Sequence, residues 1–331
     1  MKLRIATRRS ALALTQTRYI AGELKKRRPE LEIEEVTVET RGDKETSRPL
    51  AAIGGKGLFV SEVEALVVEG KADIAVHSLK DVPGDTDLPE GFDLVCFPKR
   101  EDPRDLLITP DGRDFDALPE GAVVGTTSLR REAQLRERRP DLQIRTLRGN
   151  VQTRLSRLDA GEFDAIILAA AGIRRLELDR ERKFVALPVE FSLPAVGQGT
   201  LGIEAAVDRS DVLELLAPLE CPGTRIVTEA ERRFLRRIEG SCRAAIAGHA
   251  RLDEARGVLR IDGYVGDLVG GQSLRASLET ALGEDPVEAA RLLGEKLAEK
   301  LIEAGAPSLM RKAEAAVKER EAALDERFRP R

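Results

Sequence analysis

The sequence predicts two α/β lobes around a cleft, followed by a small α+β domain. Three observations predict it. Apolar, β-branched runs alternate with helix-like stretches over the first two-thirds of the chain, the pattern of sheets covered by helices on both faces. Two Pro- or charge-rich stretches, KREDPRD (99–105) and LPAVGQGTLGIEAAV (193–207), interrupt that alternation where the chain can cross from one lobe to another. After about residue 219 the pattern changes to one long helix, several strands and a second helix. A length of 331 residues suits two to three domains of ~150 residues or fewer.

In order, LRIAT (3–7) reads as a short strand, and 11–28 as a helix with Ser10 as N-cap and Pro29 as its stop. LEIEEVTV (31–38) is a strand, GGKG (54–57) a loop leading into the helix-like LFVSEVEALVVEG, and ADIAVHS (72–78) a buried strand. The charged 99–105 segment is a hinge. A second α/β series follows: AVVGT (122–126), a helix from Ser128 to Pro140, LQIRTL (142–147), a helix over 150–160, and DAIILAAA (164–171). The strand-like piece within 193–207 returns the chain to the first lobe. The expected units are therefore 1–98 with 197–217, then 103–192, then 219–305, and a charged helical tail over 306–331. In the third unit a helix from Thr224 to Glu239 ends at Gly240, strands fall near 244–252, 257–265 and 272–278, and a helix runs over 285–304. The tail reads as a solvated helix or a frayed end, and no function is assigned to it.

Composition excludes several function classes. Hydrophobic residues at 42% and charged residues at 34% describe a globular chain. No apolar run reaches the ~18 residues of a membrane span, and Arg8, Arg9, Thr15 and Gln16 interrupt any secretory apolar region near the start. Cys96, Cys221 and Cys242 are odd in number and lack metal-ligand spacing, and only His77 and His249 accompany them, so no metal site is expected and a reducing cytoplasm fits. The net charge is 54 − 58 = −4. Residues 125–157 hold nine Arg against three acids, so +6 sits inside an acidic protein and marks a localised anion site. Aromatics are 3% of the chain and that segment has none, which argues against a nucleic-acid groove.

Three segments offer chemistry. HSLKDVP (77–83) follows a buried strand, so Lys80 and Asp81 fall at its carboxyl end, where ligands bind in open α/β sheets, although an Asp before Val-Pro also suits an ordinary turn. GTTSLRR (125–131) is a strand end, a hydroxyl-rich turn and a helix start, and offers Thr126, Ser128, Arg130 and Arg131 to an anion, while LRGNVQTR (147–154) adds Arg148 and Arg154 from the next such turn. GSCR (240–243) places Cys242 in a polar loop just past a helix; Arg243 favours its thiolate and the helix C-terminus opposes it.

These pieces, with IATRRSALALTQ, TRGD, GGKGLF, EDPRD, RRPDL and LPAVGQGTLGIE, occur in an order and over a span (3 to about 250) that resembles the porphobilinogen deaminase (hydroxymethylbilane synthase) family. The resemblance implies that the first two lobes are of the type II periplasmic-binding-protein kind. It implies a transferase of tetrapyrrole (heme) biosynthesis, cytoplasmic and monomeric, with porphobilinogen as substrate and no nucleic-acid, membrane or metal partner. It also implies a dipyrromethane cofactor held by a thioether to Cys242. By motif, Asp81 corresponds to the catalytic carboxylate. Arg8, Ser10, Lys56, Ser78 and Lys80 correspond to cofactor and substrate contacts, and Thr126, Ser128, Arg130, Arg131, Arg148 and Arg154 to a wall for acetate and propionate groups. Arg175 and Gln198 join them from less distinctive stretches, and Phe59 corresponds to part of a lid. A two-lobed anion-transport protein would use the same cleft, but it gives no reason for the cysteine loop.

Overall fold

The computed structural model describes residues 2–40, 60–84, 87–180, 183–238, 244–268 and 271–327. Lys56, Phe59 and Cys242 lie outside the described residues.

The first lobe is built on a five-stranded sheet of order β2-β1-β3-β10-β4. Its strands are β1 (Lys2–Arg8), β2 (Glu32–Val38), β3 (Ile74–Ser78), β4 (Phe92–Cys96) and β10 (Leu201–Ala206). β1 runs parallel to β2 and β3, whereas β10 is antiparallel to both of its neighbours. The second lobe repeats the plan with order β7-β6-β8-β5-β9, from β5 (Asp105–Ile108), β6 (Val123–Gly125), β7 (Gln143–Arg145), β8 (Ala165–Ala169) and β9 (Val185–Ala186). β6 is parallel to β7 and β8, and β5 is antiparallel to β8 and β9. In each sheet the antiparallel strand is the one that adjoins a crossing between lobes: β5 follows the first crossing and β10 follows the second. The two sheets therefore share one plan, four strands running one way with a single antiparallel strand inserted next to the edge.

Helices cover the sheets where the sequence has capping residues and apolar faces. Ser10 caps α1 (Ala11–Arg27), accepting from the Ala13 amide at 3.3 Å, and Ile20 and Leu24 bury its inner face. The first lobe also carries α2 (Ser61–Val68) and α6 (Ser210–Leu216). The second carries α3 (Leu129–Arg138), α4 (Val151–Asp159) and the short α5 (Ala170–Arg175). The helix expected from Ser128 ends near Arg138, where the chain turns at Pro140.

The two crossings lie side by side. Glu101 N–H donates to the Gly199 carbonyl at 3.2 Å, and Arg100 Nε donates to the Gln198 carbonyl at 2.9 Å. Gly199 has φ +89°, and a Cβ there would overlap the Glu101 carbonyl oxygen, so only glycine allows this approach.

The third domain is an antiparallel meander of β11 (Ala245–Asp253), β12 (Val258–Gly266) and β13 (Ser273–Ala281), with α7 (Pro222–Arg237) and α8 (Pro286–Glu303) packed together against it. Ala230, Phe234, Leu297 and Leu301 are fully or almost fully buried at its centre. The expected solvated tail is instead a docked helix, α9 (Ala306–Arg327), which buries Ala306, Leu309, Ala313, Ala316 and Val317. Its contact residues are mostly alanine, which close packing can bury without a strongly apolar sequence signal.

Candidate active site

The ends of the strands set the site. β1 ends at Arg8 and passes directly to Ser10 and α1. β3 ends at Ser78 and passes to a single 3-10 turn, Leu79–Asp81. Leu79 anchors that turn: it is buried, its N–H donates to the Thr200 carbonyl at 3.0 Å, and a Cβ on Gly197 would stand 2.9 Å from its Cγ. With Leu79 fixed inward, Lys80 and Asp81 project into the space between lobes. From the second lobe, the turn before α4 contributes Arg148 and Gly149, α4 itself Arg154, the end of α5 Arg175, and the first turn of α3 Arg131. Together these elements enclose a cleft of about 760 Å3, a volume typical of small-molecule sites.

The cleft is strongly cationic. Among the described residues lining it, eight are Arg or Lys (Arg8, Arg9, Lys80, Arg131, Arg148, Arg154, Arg157, Arg175) and two are carboxylates, Asp81 and Glu39. Arg8 Nη1 lies 4.0 Å from Asp81 Oδ2. Lys80 is open to solvent in the cleft but walled by protein, and desolvation, reinforced by Arg131 and Arg130, lowers its ammonium to about 8. Burial, with Arg131 and Arg148 adding repulsion, brings Arg154 down to about 10; burial does the same for Arg175, to about 10. Lowered cation pKa values of this kind are what an anionic ligand reverses.

The paired arginines of GTTSLRR separate. Consecutive helix positions diverge by about 100°, and only Arg131 reaches the cleft. Arg130 is 4% exposed and turned inward, donating to Asp105 at 2.8 and 3.2 Å and to the Leu193 carbonyl at 2.6 Å. Arg131 also grips Asp105, at 2.7 and 3.0 Å, and donates to the Ile167 carbonyl. Gln198, expected at the ligand, is buried and donates to Asp105 at 2.9 Å and to the Pro103 carbonyl at 2.7 Å. Thr126 is buried and accepts from the Ser128 amide, and Ser128 caps α3. These four residues, Arg130, Gln198, Thr126 and Ser128, build the wall's support and do not line the cleft. Ser10 and Ser78 do line it.

Three buried carboxylates escape a reading of the sequence. Asp105 is fully buried and also accepts from Ser192 Oγ at 2.8 Å. Burial pushes its carboxyl up, but the two guanidinium groups override this and hold it far below the usual range. Its only sequence signal is a single acid abutting the apolar run LLI. Glu231 of α7 accepts from Arg100 at 2.7 Å and from the Gly197 and Ala250 amides at 2.7 and 2.8 Å, so it ties the third domain to both crossings. Burial opposes its ionisation, yet Arg100 and His249 bring it down to about 2. Glu204 on β10 meets His77 Nε2 at 2.8 Å beneath the cleft, which places His77 in a supporting position.

Two family models divide the chain. "Porphobilinogen deaminase, dipyromethane cofactor binding domain" matches residues 3–214, and "Porphobilinogen deaminase, C-terminal domain" matches residues 226–303. The chain belongs to the porphobilinogen deaminase family. A protein named porphobilinogen deaminase from Syntrophotalea carbinolica is 47% identical over 308 residues, spanning 93% of this chain and 95% of that one. One of the same name from Neisseria meningitidis is 48% identical over 309 residues, spanning 93% and 96%. A solved substrate-binding domain of a putative amino acid ABC transporter from Streptococcus pneumoniae covers 66% of this chain and 91% of that chain at 13% identity, with a TM-score of 0.43.

The donor set suits the cofactor that the family model names. A dipyrromethane built from two porphobilinogen units carries four carboxylates. The cleft meets them with guanidinium and ammonium groups, with Ser10 and Ser78 beside them. Among the described residues no group of three or more His, Cys, Asp or Glu is arranged to hold a metal ion.

Proposed function

We propose that the protein joins four porphobilinogen molecules head to tail on a dipyrromethane carried by Cys242, with loss of one ammonia per unit, and that water then cleaves the bond between the cofactor and the new chain, releasing the linear tetrapyrrole hydroxymethylbilane and leaving the dipyrromethane in place. The observation that carries this reading is a single turn carboxylate, Asp81, set in a cleft with eight cationic side chains. When bound, the dipyrromethane supplies the pyrrole carbon to which the first substrate unit is joined. The cationic wall holds the substrate's acetate and propionate groups and fixes its orientation. Loss of ammonia from porphobilinogen leaves positive charge shared with its pyrrole nitrogen. Asp81 is the one carboxylate on the turn after β3, and beside that nitrogen it offsets charge where charge develops and can accept and return the pyrrole proton. Arg8 Nη1 lies 4.0 Å from its Oδ2 and sets a positive charge beside it.

Attachment at Cys242 is supported by the state of another thiol. Cys96 is buried, and burial pushes its thiol up to about 12, which makes it a poor nucleophile. Cys221 heads α7, with its amide on the Phe97 carbonyl, and does not line the cleft. Lys56 and Phe59 belong to this reading as a contact and a lid, as do Ser10, Ser78, Arg148 and Arg175 as ligand contacts. Arg130, Thr126, Ser128 and Gln198 enter it as supports. We read the enzyme as a cytoplasmic monomer without nucleic-acid or membrane partners. Among the described residues no helix is long and apolar enough to cross a membrane.

The test is steady-state formation of hydroxymethylbilane by Asp81→Asn and Asp81→Glu, each purified with the cofactor confirmed by intact mass. Asn keeps the shape and loses the charge, so turnover should vanish. Glu moves the charge by one methylene and should retain a small residual rate. Near-normal turnover by Asp81→Asn holoenzyme removes Asp81 from the chemistry.

A further inference from the structure

We infer that α9, which lies beyond both matched family segments, is a positioning element for the anion wall: its second half holds the first turn of α3, and with it Arg131, in place. This inference rests on the porphobilinogen-condensing reading of the cleft.

The helix has two faces of contact in sequence. Its first half, Ala306 and Leu309 with Met310 beside them, packs into the core of the third domain alongside α7 and α8. From residue 313 onward, Ala313, Ala316 and Val317 enter a different buried cluster, which joins Ala245, Ala247, Tyr264 and Leu268 of the third domain to Ala133 of α3 and Leu193 of the second crossing, with Leu129 packed against it. One helix thus spans from the third domain to the second lobe. Beyond the apolar contact, Arg320 donates to Glu132 Oε2 at 3.0 Å. Glu132 is almost fully buried and also accepts from Arg136 at 2.9 Å, and as an acid in the first turn of α3 it sits where the helix dipole favours it.

The far end of α3 is held differently. Glu137 accepts from Ser273 Oγ at 3.1 Å and from Arg275 at 3.0 Å, both on β13. β13 therefore holds the end of α3 through Glu137, β11 and β12 pack along the helix, and α9 reaches its first turn through Arg320 and the shared cluster. Arg131 follows Arg130 and precedes Glu132, so the turn that α9 braces is the one that aims a guanidinium into the cleft. The Arg320–Glu132 pair joins a half-exposed guanidinium to a buried carboxylate, and with the apolar cluster it fixes α9 against the first turn of α3.

Two variants of the full enzyme test this: a chain ending at Met310, which keeps the contacts of the first half, and Ala316→Asp, which sets a carboxylate into the bridging cluster. Hydrogen exchange at the α3 amides, read without substrate, and KM and kcat for porphobilinogen are compared with the parent. Exchange at 132–135 should quicken at least about threefold relative to β1 and β3. KM should rise by roughly 3–10-fold with kcat within about twofold, the signature of lost uniform binding. Should the shortened chain fail to fold, Ala316→Asp alone decides. Unchanged exchange in a folded variant overturns the brace, and faster exchange with an unchanged KM overturns its role in positioning Arg131. A parent enzyme that makes no hydroxymethylbilane fails the functional reading instead, and the exchange result stands apart from it.

Discussion

Replacing Asp105 by Asn should damage the fold and the cleft together. Asp105 is fully buried and accepts from two arginines, a serine and a glutamine. Asn preserves the shape but removes the charge and turns an N–H group toward donors, leaving Arg130 and Arg131 as buried cations without a counterion. Breaking a buried pair from one side costs about 3–5 kcal/mol. At roughly 2 °C per kcal/mol, the low end for chains of 150–250 residues, the melting temperature should fall by about 6–10 °C. The pH dependence gives a second reading. Asp105 is held far below its ordinary value, so its contribution is fully present above the unfolded carboxyl value of ~3.9 and is lost progressively as pH falls below it. The parent should thus lose stability on acidification below about pH 4 more steeply than Asp105→Asn does. Scanning calorimetry from pH 7 to pH 3 measures both. A variant melting within about 1 °C of the parent at pH 7, with the same acid slope, would falsify the view that Asp105 is the counterion on which the two arginines depend.

Arg130 and Arg154 should part company. Arg154→Leu removes a cleft cation and a charge-assisted bond worth roughly 1.5–3 kcal/mol, so binding or cofactor assembly should weaken by about 10–150-fold with the melting temperature nearly kept. Arg130→Leu should instead lower the melting temperature, and equal effects of both on binding alone would contradict the inward placement of Arg130. Lys80 titrates at about 8 in the free cleft, so its positive charge is present below that pH and lost above it. Cofactor assembly by the cofactor-free protein should weaken as pH passes 8, and Lys80→Arg should move that loss upward; assembly unchanged from pH 7 to pH 9.5 speaks against Lys80 as an anion contact. Intact mass should exceed the sequence mass by two linked pyrrole units, and the excess should vanish in Cys242→Ala. An adduct found on Cys96 or Cys221 would overturn the attachment.

The parallel strands were legible because each is a compact apolar run: 3–7, 72–78 and 164–171 all fall on strands that frame the cleft. The return of the chain to the first sheet was legible from Pro and Gly in 193–207, and β10 sits between β3 and β4. The antiparallel strand β5 was not, because its first residue is a charged Asp inside what reads as a hinge. The same acid hides the support of the site. A buried charge looks like a surface charge in sequence, and only the partners converging on it from α3, from residue 192 and from the second crossing distinguish the two. Arg130 and Arg131 show the complementary difficulty. Leu129–Arg138 is polar by composition, yet residues 130–135 are all buried, so no apolar stripe reveals which arginine faces inward. The docking of the tail helix is not legible because alanine counts little in an apolar pattern but packs closely.

The Arg-rich segment 125–157 pointed to the right region for a partly different reason than its charge excess suggests. Of its nine arginines, four line the cleft: Arg131, Arg148, Arg154 and Arg157. Arg130 serves Asp105, Arg136 pairs with Glu132, Arg139 with Asp141, and Arg138 lies over the Phe191 ring. The cleft then recruits Arg8, Arg9, Lys80 and Arg175 from outside the segment. A run of +6 is therefore not itself the anion site. It reflects a lobe that uses arginine both as scaffold and as ligand wall, with Arg131 performing both tasks through one guanidinium. That double use explains why the wall can stay rigid while carrying so many like charges. The burial, with neighbouring charge added, that lowers the pKa values of Arg154 and Lys80 acts on side chains whose backbones are held by caps, by Asp105 and by the two crossings. An anionic ligand relieves both effects at once.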